Sequence, residues 1–277
     1  MTTIHSASTR SSAPGSGPTL SRATHSELIK LRSLRAHVVL LGTGALFLLA
    51  LGPIQAIGQV LSKAEPEPLG TVSAAISVAL TGGTTTALLV GVLGVLSVTS
   101  EFPTALIRTT LWAVPRRGLA VTGKVAALLT LLVPTIVLST VIALEATRQV
   151  LARADHPMPE LSWSQPSVWW SLLAMMLFAT GWALLGQALG WLLRSAVGAA
   201  FALLGLMFAL PLVVLALPSG VEHRVWPYLL SEAGSSMMRL QEGNPAGLAP
   251  GPAALVWLGW IVVGLLLATW AMKRRDA

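Results

Sequence analysis

Cysteine is absent from this sequence of 277 residues. Its absence excludes disulfide bonds, thiolate metal sites and cysteine nucleophiles. Charge is scarce as well, because Asp, Glu, Lys and Arg make up only 10% of the residues, against about 25% in soluble domains. So few charged side chains cannot cover a globular surface that faces water. A hydrophobic content of 54% and a mean hydropathy of +0.74 instead predict an integral membrane protein.

The residue patterns of membrane-embedded enzymes are also missing. The five histidines are isolated in sequence, so no pair of zinc-binding histidines lies one helical turn apart. A proton-coupled carrier needs ionisable groups at mid-membrane, and the nearest case, Glu145, lies close to the outer end of its predicted span. We interpret Glu145 as a residue in contact with interfacial water.

One segment imitates a nucleotide-binding motif. Gly118–Val125 matches a phosphate-binding loop except at its last position, where Val125 replaces the Ser or Thr that holds magnesium. No strand is predicted before it, and a membrane span follows it. We therefore expect no catalytic residue, cofactor site or metal site in this chain, which is not predicted to be an enzyme.

Long apolar runs organise the rest of the chain into six segments, each near the ~20 residues that a membrane span requires. Thirteen of the eighteen Lys and Arg residues fall on the side of the N-terminus, and the positive-inside rule assigns that side to the cytoplasm. Topology thereby explains the excess positive charge, and no nucleic-acid partner is expected. The predicted fold is all-α and integral to the membrane, with both termini cytoplasmic and six transmembrane helices at about 37–57, 71–98, 119–146, 167–193, 196–217 and 253–272.

The segments outside the spans have their own composition. Residues 1–25 are rich in Ser, Thr, Gly and Pro and are predicted to be a disordered tail, so that 26–277 form the transmembrane domain. Ser26 can cap an amphipathic helix reaching His37, which we expect on the inner membrane face in contact with membrane lipid.

The outer loop 218–252 is apolar and aromatic enough to dip back toward the membrane. An aromatic belt is predicted at the outer ends of the spans, formed by Trp169, Trp170, Trp257 and Trp260.

Small and hydroxyl residues are the main polar signal inside the spans. The stretch Thr81–Thr86 has two interpretations, a lining for a substrate path or hydroxyls that bond back to helix carbonyls. Gly186 and Gly190 form a Gly-x-x-x-Gly face, which predicts close helix packing, and Gln187 is expected to bond between helices. The residues proposed to line a substrate path are Thr81, Thr84 and Thr85.

The loop between the second and third spans contains a short helix pattern. Thr99 or Ser100 can cap it, Glu101 falls in its first turn, and Pro115 ends it. A helix of about 12 residues is marginal on its own, so it is expected to dock on either the membrane surface or a soluble protein. Its apolar stripe consists of Ile107, Leu111 and Val114.

The run TSEFPTALIRTTLWAVPRRGLAVTGK, from Thr99 to Lys124, resembles the first cytoplasmic loop of ABC-2-type transporter permeases, the membrane subunits of ATP-binding-cassette exporters. That family shows T-x-E-[FY]-x-x-G-T-[IL]-R-x-[ST]-L-x-x-x-P-x-R before a Lys at the next span, and Ala105 stands near where it often has Gly. Weaker matches precede the first span and occur in the last outer loop and at 274–277. The fitting residues are Thr99, Glu101, Phe102, Leu106, Ile107, Arg108, Leu111, Pro115, Arg117 and Lys124.

The resemblance implies a permease subunit of an exporter in the bacterial plasma membrane, paired as a homodimer or as a heterodimer with a second permease. Cytoplasmic ABC ATPase subunits would supply the ATP and magnesium sites. It also implies that the helix before the first span is a connecting helix and that 100–115 is a coupling helix seated on the ATPase. The residues implied in coupling are Glu101, Phe102, Arg108, Leu111, Pro115 and Arg117.

An alternative function stays open at this point. The chain could be an ATP-independent carrier, or a membrane assembly or immunity protein. The missing mid-membrane ionisable groups count against a carrier, and the loop pattern favours an ATPase partner.

Overall fold

A computed structural model of the chain describes residues 19–61, 72–102, 117–153, 162–238 and 247–275. Helices account for nearly all of these residues, and none of the described segments forms a strand. Five helices are long and apolar enough to cross a membrane, and a bent helix pair adds a sixth if it counts as one span. The predicted all-helical fold with several helices of membrane-spanning length is confirmed.

The helical elements follow the predicted spans closely, with one additional helix before the first span. In chain order they are α1 Leu20–Ser33, α2 Arg35–Leu61, α3 Val72–Ala79, α4 Gly83–Thr99, α5 Arg117–Ala152, α6 Pro166–Leu193, α7 Ala196–Leu204, a π-helical turn Gly205–Ala209, α8 Leu210–Leu215, α9 Ser219–Val225, a 3₁₀ turn Trp226–Tyr228, α10 Leu230–Met238 and α11 Pro250–Arg275.

Helix α1 begins earlier than the sequence pattern predicts. Its N-cap is Thr19, whose hydroxyl accepts a hydrogen bond from the backbone amide of Arg22 at 3.4 Å. Ser26, the predicted cap, lies inside the helix and donates its hydroxyl to the carbonyl of Ala23. Residues 20–25 are therefore helical rather than part of a disordered tail, and 1–18 lie outside the described residues.

The second predicted span is broken rather than continuous. Helices α3 and α4 meet at 43° across the residues between them. Gly82 lies so close to α2 that a Cβ atom there would be 2.2 Å from the carbonyl oxygen of Phe47. Only glycine permits that approach, so the break is fixed by packing against α2 as well as by the local sequence.

The fifth span contains a local change of helix type. A π-helical turn at Gly205–Ala209 separates α7 from α8, and Pro211 lies in the first turn of α8. Proline has no amide hydrogen for the carbonyl four residues before it, and a π turn accommodates such an interruption inside a helix. The helical hydrogen-bond pattern of the fifth span therefore changes next to Pro211.

Helices α4 and α6 form the centre of the bundle and pack along most of their lengths. A Cβ atom at Gly94 would be 2.0 Å from the carbonyl oxygen of Ala183, and one at Gly186 equally close to that of Gly91. Across the same contact, the Gln187 amide lies 3.4 Å from the Ser97 hydroxyl. The close packing and the interhelical bond predicted for this part of the fourth span are both confirmed.

Helix α10 folds back onto α6 and α11 at the far end of the bundle. The Trp170 indole donates to the carbonyl of Met237 at 3.1 Å, which attaches α10 to α6. Trp257 is fully buried, packs at a tilt of 57° beside Trp182 and donates to the carbonyl of Leu177. The prediction that Trp257 belongs to an exposed aromatic belt is therefore wrong, because its helix turns this face toward the core.

Candidate functional site

Four charged side chains from three parts of the chain meet at the end of the bundle that holds α1. Glu27 and Lys30 lie on α1, Glu101 follows α4, and Lys124 lies near the start of α5. The Lys124 ammonium is 2.5 Å from a Glu27 carboxylate oxygen and 2.6 Å from one of Glu101. The Lys30 ammonium is 2.7 Å from Glu27 and 3.1 Å from Glu101. We refer to these four residues as the ion cluster.

The ion cluster is largely removed from solvent. The side chain of Lys124 is 4% exposed, and those of Glu27 and Glu101 are 8% and 7% exposed. Lys124 also donates to the carbonyl of Ser97 at 3.2 Å, so each of its three ammonium hydrogens has an acceptor. Buried charges are tolerated when they are paired and fully hydrogen-bonded, and this arrangement meets that condition for Lys124.

Lys30 lies at the edge of the cluster, with 39% of its side chain exposed. Partial burial lowers the pKa of Lys30, but its hydrogen bond to Glu27 and the negative charges of Glu101 and Glu27 outweigh burial and raise that pKa overall. Since the usual lysine pKa is already near 10.4, the ammonium stays protonated at neutral pH. The cluster therefore pairs two carboxylates with two ammonium groups.

The local sequence explains how α1 reaches the cluster. Glu27, Lys30 and Leu31 lie at helical spacing on one face, and Glu27 and Leu31 are buried there. Helix α1 packs mainly on α5, where a Cβ atom at Gly123 would lie 3.0 Å from the Cβ of Ala23. The amphipathic pattern predicted that this face of α1 contacts lipid. In the structure, protein covers it instead.

The segment that imitates a phosphate-binding loop belongs to helix α5. Gly118–Val125 lies wholly within Arg117–Ala152, so its backbone amides follow the helix axis and do not form a loop around a phosphate. Its lysine, Lys124, binds carboxylates instead. The resemblance of this segment to a nucleotide-binding motif has no counterpart in its geometry.

The residues predicted to begin a coupling helix adopt a different structure. Thr99 is the last residue of α4, and its hydroxyl donates to the carbonyl of Val95 at 3.0 Å, so it does not cap a new helix. Phe102 packs edge-on against Trp191 at 6.3 Å, and the Arg194 guanidinium lies 5.8 Å from its ring centre. Glu101 and Phe102 are thus anchored to the bundle where the predicted loop begins.

Of the other predicted coupling residues, Arg117 belongs to a described helix. Arg117 is the first residue of α5. Arg108, Leu111 and Pro115, together with the predicted helix to which they belong, lie outside the described residues.

The hydroxyl residues of the second span divide into two groups. Thr86 is buried and donates to the carbonyls of Gly82 and Gly44, while Thr81 donates to that of Val78 at 2.8 Å and is hydrogen-bonded to Gln55. Thr84 is exposed and Thr85 partly exposed. Back-bonding to the helix, one of the two interpretations of this stretch, therefore holds for Thr81 and Thr86.

No protein-family model matches this chain, and a comparison with curated proteins also found no match. The ion cluster and the apolar helices are therefore the features that bear on function. Sequence patterns identified Glu101 and Lys124 as parts of one loop motif, but missed their pairing with Glu27 and Lys30. The only local signal was the spacing of Glu27 and Lys30 on one helix face.

Proposed function

We propose that this chain is the transmembrane permease subunit of an ABC exporter. It forms a substrate path through the membrane and couples that path to ATP hydrolysis by a separate cytoplasmic ATPase. It works as a homodimer, or as a heterodimer with a second permease, in the bacterial plasma membrane.

The observation that carries this proposal is the position of the ion cluster. Glu101 lies near the start of the run from Thr99 to Lys124 that resembles the permease family's first cytoplasmic loop, and Lys124 ends that run on α5. Glu101 contacts Lys30 on α1, and Lys124 contacts Glu27 on the same helix. Glu101 and Lys124 also contact each other. A force applied to the loop between 103 and 116 would therefore reach α1 and two spans through short, buried ionic contacts. Such a junction suits a chain that receives mechanical work from a partner.

The membrane setting supports the same function. Several helices have the length and apolar character of membrane spans, and the Lys and Arg distribution assigns the ion cluster to the cytoplasmic side. An ATPase would meet the chain on that side. Thr84 and Thr85, which lie on the exposed side of the bent second span, remain the proposed lining of the substrate path.

Capture of an ABC ATPase by the full-length tagged chain from its native membrane tests the proposal. Deletion of residues 103–114 is expected to abolish that capture, and Arg108→Ala to weaken it roughly thirtyfold, because an interface arginine commonly contributes about 2 kcal/mol. Glu101 is less suitable for substitution because it belongs to the ion cluster, whose loss would destabilise the fold.

The matched control is Arg148→Ala, which removes an exposed arginine on the predicted outer side that pairs with Glu145 in the described part of the chain. This variant should capture the ATPase as the wild type does. Undiminished ATPase capture by the deletion variant, with normal membrane insertion, would contradict the coupling role and favour an ATP-independent carrier or assembly protein.

The proposed orientation gives a separate prediction. Because the chain has no cysteine, each introduced cysteine is the only thiol in the purified, labelled chain. Glu65→Cys and Leu240→Cys should react with a membrane-impermeant maleimide applied to intact cells, whereas Arg116→Cys should react only after permeabilisation. Labelling of Arg116→Cys in intact cells would reverse the assigned topology.

A further inference from the structure

The turn between helices α6 and α7 contains an arginine in an uncommon backbone conformation. Arg194 has a φ of 53° and a ψ of 16°, and it is the one non-glycine residue with positive φ in the described part of the chain. Its backbone amide donates to the carbonyl of Gly190 at 3.0 Å, which completes the last turn of α6. Glycine is the usual residue at such a helix end, because a Cβ atom makes the left-handed conformation unfavourable. Contacts elsewhere must therefore hold Arg194 in place.

The direction of α7 follows from this turn, because only Arg194 and Ser195 separate the two helices. Ser195 is extended and caps α7. Its hydroxyl accepts a hydrogen bond from the amide of Gly198 at 3.2 Å, and its carbonyl accepts one from the amide of Ala199 at 2.9 Å. The backbone angles of Arg194 thus set the angle between α6 and α7. A change at Arg194 would turn α7 against α4 and α6, the helices on which it packs.

The side chain of Arg194 contacts a residue from a distant part of the chain. Its guanidinium carbon lies 5.8 Å from the ring centre of Phe102, within the range of cation–π attraction. Phe102 packs edge-on against Trp191 of α6. It also belongs to an apolar cluster at this end of the bundle that includes Val98 of α4 and Val121 of α5. The ring of Phe102 is therefore fixed by several helices, and the α6–α7 turn is attached to that ring.

We propose that the contact between Phe102 and Arg194 holds the α6–α7 turn in its left-handed conformation, so that Arg194 is a positioning residue for α7. Phe102 directly precedes the loop between 103 and 116. Displacement of Phe102 by that loop would remove the contact, and the strained turn would then change its angle. This link differs from the ion cluster, which joins the start of the same loop to α1 and α5.

Hydrogen exchange of the purified full chain in one detergent tests whether the turn depends on this contact. The amides of Gly198 and Ala199 report on the turn, because both bond to Ser195. Arg194→Leu keeps the strained Cβ atom but removes the guanidinium, so these amides should exchange about two- to fivefold faster. Arg194→Gly removes the strain together with the contact, so the same amides should exchange as in the wild type.

Substitutions of Phe102 complete this comparison. Phe102→Leu should accelerate exchange of the two amides by a similar factor, but it should have no effect on them in the Arg194→Gly background, where the turn no longer depends on the ring. Phe102→Tyr keeps the ring and should match the wild type. The matched control is Leu193→Ala, at an exposed neighbour of Arg194, which should leave the rates unchanged. Wild-type rates in both Arg194→Leu and Phe102→Leu, or equal acceleration by Phe102→Leu in both backgrounds, would overturn the proposal.

The role of this link in transport rests on the proposed function and is tested with the ATPase complex captured from the native membrane. Exchange at Gly198 and Ala199 should differ between ADP and ATP with vanadate. Arg194→Gly should reduce that difference roughly threefold, because its turn no longer responds to Phe102, while capture of the ATPase stays normal. An undiminished difference would overturn the role in transport. Capture of no ATPase would contradict the permease function instead, and the exchange rates of the chain alone would still decide whether Arg194 positions α7.

Discussion

Lys124→Ala is expected to destabilise the folded chain by about 3–5 kcal/mol, the cost of breaking a buried ion pair while its partners stay buried. Lys124 bridges Glu27 and Glu101 at 2.5 and 2.6 Å. Without it, two nearly buried carboxylates would lose the buried ammonium group that they share. For a chain of this size the loss corresponds to a fall in melting temperature of roughly 6–20 °C, measured by thermal unfolding of the purified protein in one detergent.

Lys30→Ala is the natural control, because Lys30 contacts the same two carboxylates but is 39% exposed. Exposed ion pairs contribute about 0–1 kcal/mol, so the melting temperature should change little. A triple variant, with Lys124→Met, Glu27→Gln and Glu101→Gln, should recover much of the loss, because it removes the buried carboxylate charges together with the lysine. If Lys124→Ala and Lys30→Ala prove equally mild, water must reach the carboxylates and the cluster is not a buried unit.

Gly94→Ala and Gly186→Ala should each destabilise the protein by about 3 kcal/mol, the upper end of the usual cost of overpacking. In both cases the added methyl group would meet a backbone carbonyl oxygen at 2.0 Å. A flexible side chain can rotate away from such a clash, but a helix backbone cannot. Helices α4 and α6 would have to separate along their whole contact, which is the most extensive in the bundle.

Gly259→Ala and Gly42→Ala provide matched controls on helices α11 and α2. A Cβ atom at either position meets nothing within 4 Å. Alanine is favoured over glycine inside a helix by about 0.5–1 kcal/mol, so these variants should be neutral or slightly more stable.

The double variant of Gly94 and Gly186 should lose less than the sum of its single variants, since helices already separated by one methyl group accommodate the second. Thermal unfolding of all five variants under the same conditions measures these differences. A melting temperature of Gly94→Ala matching that of Gly259→Ala would show that α4 and α6 are not in backbone contact.

Elements that depend on local composition could be predicted from the order of the residues. The apolar runs predict helices such as Pro166–Leu193 almost to the residue, because span length follows from the hydrophobic content of consecutive residues. The Gly-x-x-x-Gly face at Gly186 predicts a close helix contact for the same reason, since small residues at that spacing permit it wherever a partner helix lies. Composition alone, however, does not identify the partner as α4.

Contacts between side chains that are distant in sequence could not be predicted in this way and were seen first in the folded chain. Glu27 and Lys124 are separated by 97 positions in the chain, and their contact depends on how α1 crosses α5 at Ala23 and Gly123. Sequence patterns predicted a helix start at Ser26 but gave no ionic partner to its neighbour Glu27. Trp257 was likewise misassigned, because the rotation of α11 about its axis decides whether this side chain faces lipid or core. Local residues set where a helix begins and ends, whereas burial and ion pairing depend on the mutual orientation of helices, which is fixed by contacts between segments remote in sequence.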